Sequence, residues 1–87
     1  MDRDEFLKEV WKYAKIIGVN PKEIHIKEMK KKWGSCSSKG RITFNSNLLK
    51  SDSNKIKEVI IHELLHLKYH RHDKVFYELL KIYMEME

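Results

Sequence analysis

Lys55-Ile56-Lys57-Glu58-Val59-Ile60-Ile61-His62-Glu63-Leu64-Leu65-His66-Leu67 is the stretch on which the reading of this chain turns. Its aliphatic residues leave few polar positions, the pattern of a helix buried on most sides. His62 and His66 stand four residues apart, so they share one face and present two imidazoles to one point. Two histidines and a glutamate inside an apolar helix are costly without partners, and a metal ion removes that cost. Glu63 sits one step further round. It is badly placed as a ligand but well placed as a general base toward a reacting water. A catalytic zinc takes three protein ligands and keeps one position open, so a third ligand must come from outside this helix.

Helix geometry narrows the choice. His70 lies eight residues after His62, about 12 Å along a continuous helix axis, too far to meet the same ion. His72 meets it if the helix ends near Tyr69 and the chain turns back. Glu78, on a following helix, is the other candidate. The 62, 66, 72 spacing equals that of metzincins, but those carry Gly at the turn, where this chain has Tyr69.

The rest of the chain supplies one α+β frame. Asp2 with Glu5 predicts a capping box that opens an N-terminal helix carrying Phe6, Leu7, Val10, Trp11, Ala14 and Ile17. Gly18 and Pro21 end it. A period-two stretch from Ile24 to about Trp33, a Ser- and Gly-rich turn from Gly34 to Gly40, and Arg41-Ile42-Thr43-Phe44-Asn45 predict an antiparallel β-hairpin or small sheet. Ser51 or Ser53 is expected to cap the His62–His66 helix, and Asp73 a C-terminal helix with Val75, Phe76, Leu79, Leu80 and Tyr83. Trp11 and Trp33 are expected in the core, and His25 is expected to be exposed.

Composition sets the class. The 87 residues make a single domain, 1–87, near the size at which a metal or partner aids stability. Hydrophobic residues at 41% suit a folded globule and not a disordered chain. No stretch is long enough for a membrane span, no signal-peptide pattern opens the chain, and the lone Cys36 allows no internal disulfide. A cytoplasmic protein is expected. Net charge is +5, with a run at Lys30-Lys31-Lys32. No aromatic interleaving supports base stacking there, so nucleic acid ranks as a minor partner.

Trp33-Gly34-Ser35-Cys36-Ser37, Gly40 to Asn45, Leu48, the His62–His66 motif, and His72 with Phe76-Tyr77 occur in an order that resembles the YgjP-like and SprT-like zinc metallopeptidase domains. The small size is most similar to the minigluzincins. One departure is Arg71, where YgjP-like members usually carry Asn. The resemblance implies a minimal zincin-like fold, Zn2+ held by His62, His66 and His72, and Glu63 as catalytic base. It also implies a peptide or protein substrate laid along an exposed strand at Arg41, Ile42, Thr43, Phe44 and Asn45. Tyr69 and Tyr77 are minor candidates to assist the oxyanion, and Cys36 a minor candidate for an inhibitory thiolate. Minigluzincins are latent zymogens, which directs attention to residues 81–87 as a blocking tail and to the C-terminal helix as a route to a homodimer. Two other activities stay open: nucleoside triphosphate hydrolysis, as described for some YgjP-like relatives, and a DNA-associated role of SprT-like type, suggested by the basic charge.

Overall fold

Asp2 accepts from the Glu5 amide at 2.8 Å, and the Glu5 carboxylate accepts from the Asp2 amide at 3.3 Å. This reciprocal cap starts helix α1, Arg3–Ile17, as expected. The helix stops at Gly18, whose φ of 83° is the left-handed conformation that glycine adopts at little cost. The computed structural model describes residues 1–86. After α1 come β1 (Glu23–Lys27), β2 (Gly34–Cys36), β3 (Arg41–Asn45), a 3-10 helix (Ser46–Lys50), α2 (Ser53–Leu65) and α3 (Lys74–Glu85).

The sheet has the order β1-β3-β2. Its antiparallel hairpin is formed by β2 and β3, joined through a turn at Ser37–Gly40. The expected antiparallel pairing of the Ile24 strand with the Arg41 strand is corrected here: β1 runs parallel to β3, with Ile24 opposite Ile42 and Ile26 opposite Phe44. The period-two pattern breaks after Lys27, and residues 28–33 cross the end of β3 to reach its far side. Asn45 secures that crossing. Its amide donates to the carbonyls of Met29 and Lys32, each at 2.8 Å, and its side-chain oxygen accepts from the Asn47 amide.

The core lies between the sheet and the helices. Phe6 and Val10 of α1, Ile42 and Phe44 of β3, Leu48, and Ile60, Ile61, Leu64 and Leu65 of α2 are all fully buried. Each such side chain contributes about 1.5–3 kcal/mol by leaving water. Phe6 meets Phe44 edge to face, with ring centroids 5.0 Å apart. The tryptophans are not in this core: Trp11 is 47% exposed and Trp33 41%. On α1 the inward stripe is Phe6, Val10, Tyr13, Ala14 and Ile17, so Tyr13 occupies the place expected for Trp11. Trp33 ends the crossing loop, with the Lys55 ammonium 5.4 Å from its ring. The α2 cap is Asp52, between the two serines expected; it accepts from the Lys55 amide at 2.8 Å. No described helix is long and apolar enough to cross a membrane.

Candidate metal centre

Helix α2 ends at Leu65, with His66 as its C-cap. Amides of Leu67, Lys68 and Tyr69 bond back to the carbonyls of Leu64 and Leu65, tightening the chain into a turn. This turn is the reversal that His72 needs. Asp73 then accepts from the Phe76 amide at 3.0 Å and starts α3, which fixes His72 just outside a helix N-terminus.

The three histidines come together. Nε2 of His66 is 2.7 Å from Nε2 of His72, which is 3.1 Å from Nε2 of His62. Two nitrogens held by one tetrahedral zinc at ordinary Zn–N lengths stand about 3.3 Å apart. The cluster is therefore close to a ligand set already drawn in. His66 Nδ1 lies 3.0 Å from the Tyr69 carbonyl, an oxygen that only accepts. The proton sits on Nδ1, and Nε2 keeps its lone pair for a metal. Burial pushes the His62 pKa down to about 4, helped by the neighbouring His66 and His72 charges. Burial likewise lowers His66, opposed by its bond to Tyr69. Both rings are neutral at pH 7, the form that ligates.

Glu63 is only 7% exposed, and it lines a cleft of about 610 Å³ with His62, His66 and His72. Burial raises its pKa to about 7, partly offset by the Lys32 charge. The carboxylate lies against the backbone of β2. A Cβ added at Gly34 would stand 3.0 Å from Glu63 Cγ and 3.2 Å from the Thr43 carbonyl. Only glycine gives that approach, and the sequence pattern had suggested no more than a turn for it.

Phe76 is the other contributor that the motif does not announce. It is fully buried, and its ring stacks on His66 at 4.7 Å. The same ring meets His62 and His72 edge to face at 5.1 Å. One side chain of α3 thus forms the floor under all three imidazoles. The Asp73 cap, the helix's apolar pattern and the Phe76-Tyr77 pair of the resemblance pointed to this helix, but not to a ring under the imidazoles.

Other expected residues fall elsewhere. Glu78 faces solvent, 3.9 Å from Lys74, and is not in the cluster. His70 lines the cleft without joining the three ligands. Tyr69 contributes its carbonyl. Tyr77 lines an adjoining cavity with Trp33, Val59 and Leu80. Cys36 lines the cleft, and burial, then the Glu63 charge, push its thiol pKa up; its Sγ lies 3.6 Å from the Ser37 carbonyl. The expected substrate strand at Arg41, Ile42, Thr43, Phe44 and Asn45 is corrected: β3 is the middle strand, paired on both sides. Arg41 pairs with Glu23 at 3.1 Å, and the other four residues are buried. The strand with an unpaired edge beside the cleft is β2.

Three converging imidazoles, one with its tautomer set by Tyr69, beside a buried carboxylate fit a divalent metal of the zinc type. None of the curated proteins compared with the chain matches it. Among solved structures, the crystal structure of the metallopeptidase zymogen of Pyrococcus abyssi abylysin matches with a TM-score of 0.75 at 24% identity, over 87% of this chain and 76% of that one. That likeness shows a shared fold. The profile of the YgjP-like metallopeptidase domain matches residues 2–86. A match of that extent, over a fold that draws three histidines to one point, makes this chain a member of the YgjP-like metallopeptidase domain family.

Proposed function

We propose that the chain is a zinc-dependent endopeptidase in which His62, His66 and His72 hold the metal and Glu63 is the general base. The observation that carries this reading is the convergence of three Nε2 atoms beside a carboxylate whose pKa burial raises to about 7. When bound, zinc supplies a Lewis acid that polarises the carbonyl and lowers the pKa of water to about 7. With the metal's charge beside it favouring the carboxylate form, Glu63 takes a proton from the attacking water and passes it to the leaving amine. Gly34 keeps that carboxylate against β2, so the proton carrier and the strand edge have a fixed spacing. An extended peptide adds to β2 through main-chain hydrogen bonds. The cavity of about 420 Å³ at Trp33, Val59, Tyr77 and Leu80, which also reaches His62 and Glu63, takes an apolar side chain next to the scissile bond.

The cleft is open in this reading. Lys57 donates to the carbonyls of Met84 at 2.8 Å and Met86 at 2.5 Å, which ties the end of α3 to α2. Of the tail 81–87, residues 81–86 do not line the cleft, and Glu87 lies outside the described residues. Truncation after Leu80, with folding checked by circular dichroism, leaves peptidase activity per folded molecule unchanged; a rise would restore the tail as an inhibitor.

The deciding experiment is Glu63→Gln. The variant retains its metal and loses about 10²- to 10⁴-fold in hydrolysis of an unstructured protein substrate such as denatured casein. Full activity in this variant would defeat the reading.

A further inference from the structure

A third cavity, of about 320 Å³, opens where α1 ends, under the turn of the β2–β3 hairpin. Lys22, Lys39, Lys68 and His70 line it, together with the backbone of the turn, and no acidic residue does. The chain carries 13 acidic residues, so a lining without one is informative. None of the three lysines is paired with a carboxylate among the described residues. Glu23, next to Lys22 in the chain, is already taken by Arg41 at 3.1 Å and His25 at 3.6 Å. The Lys68 ammonium stands 3.7 Å from where a Cβ on Gly18 would lie, over the negative end of α1, which holds it at the cavity.

This cavity borders the metal cleft: Ser38 and His70 line both. The polarity of β2 says which part of a substrate reaches it. The strand runs from Gly34, against Glu63, toward Ser38. A peptide added antiparallel to β2 runs the other way, so the residues before its scissile bond lie toward Ser38. At about 3.3 Å per residue, the basic cavity receives a side chain roughly two to four positions before that bond.

We infer that the Lys22, Lys39 and Lys68 cavity is a specificity subsite for acidic side chains on the N-terminal side of the cleaved bond. The inference rests on the peptidase reading above for the presence of a peptide in the cleft. Ammonium groups in a concave, acid-free site attract carboxylates more strongly than scattered surface lysines do, and salt weakens that attraction.

The test uses three decapeptides of otherwise identical sequence: three glutamates before the central residue, three glutamates after it, or glutamines throughout. Their binding to the full-length, zinc-loaded Glu63→Gln chain is measured by titration calorimetry at low salt. The peptide with glutamates before the centre binds at least about tenfold more tightly than the other two. In the Lys39→Ala/Lys68→Ala background the three bind alike. In the Lys8→Ala/Lys81→Ala background, which removes the same charge from residues lining neither cavity, the preference persists. Equal binding of the three peptides, a preference for glutamates after the centre, a preference untouched by the Lys39 and Lys68 changes, or no binding at all overturns the inference. Wild-type, zinc-loaded chain is incubated with the same peptides and the products are read by mass spectrometry. Positional preference without cleavage sinks the peptidase reading and leaves the subsite; cleavage without preference does the reverse.

Discussion

Helices α2 and α3 start in the same way and end up differently. Each is capped by an aspartate that accepts from the amide three residues on, Asp52 from Lys55 and Asp73 from Phe76. From there α2 buries seven of its thirteen residues, while α3 buries only Phe76 of its twelve. Val75, Tyr77 and Ile82 of α3 are each more than half exposed. Two of the three metal-directed imidazoles therefore stand on the most firmly held element. The third, His72, precedes a helix held by one fully buried ring, Phe76, by the half-buried Leu79, Leu80, Tyr83 and Met84, and by the bonds from Lys57 to its far end. Burial is unevenly distributed around this centre, and the one histidine of three that adjoins α3 is the one that packing can most easily disturb.

Four experiments probe that contrast, from the largest effect to the smallest. His62→Ala or His66→Ala abolishes tight zinc binding, and His72→Ala weakens it strongly. Metal removal from the wild type lowers the melting temperature, because the ion binds only the folded chain. Competition against a zinc chelator gives the order, and a His72→Ala protein with unchanged affinity would remove α3 from the comparison.

Next, Phe76→Ala costs about 3–5 kcal/mol by opening a cavity under the imidazoles. Ile60→Ala, on α2, costs about 2–5 kcal/mol. The two differ in a second readout: zinc affinity per folded molecule falls in Phe76→Ala and holds in Ile60→Ala. Equal affinities would mean that α2 alone shapes the centre.

Glu63→Gln stabilises the metal-free fold above pH 7 by about 1–3 kcal/mol. The carboxyl pKa rises on folding from 4.5 to about 7. The wild type therefore loses stability as pH climbs through that window, and the glutamine variant does not. The gain vanishes below pH 4.5, where the wild-type group is protonated in both states. Urea melts at pH 4, 6 and 8 read the trend, and a gain independent of pH would show that the charge is not its source.

Last, Asp52→Ala and Asp73→Ala each cost about 1 kcal/mol. Only Asp73→Ala also lowers zinc affinity, since it frees the residue next to His72. Glu78→Ala changes neither quantity.

Where the signal was local, the sequence was legible. The Asp2–Glu5 box, the Asp73 cap and the paired histidines each rest on contacts within a few residues, and spacing alone conveys them. Trp11 was misplaced because aromatic bulk suggests a core, whereas the helix stripe turned Tyr13 inward instead. Parallel β1 was hidden because its partner is chosen by the crossing that Asn45 holds, a tertiary arrangement with no period of its own. The same crossing makes β3 central, so its alternation described a strand correctly and said nothing about which strand keeps a free edge. Phe76 and Gly34 act across elements: the resemblance included both residues, but spacing within the chain does not tell what either one touches.

Gly34 carries one more consequence. With no side chain there, the strand's main chain and the Glu63 side chain touch directly, so neither shifts without the other registering it. A carbon-13 label on the Glu63 carboxyl is thus a resident gauge of the strand. Displacing the strand would admit water to the carboxyl and ease the loss of its proton. A titration curve of that label would read how the strand is seated, without attaching any dye.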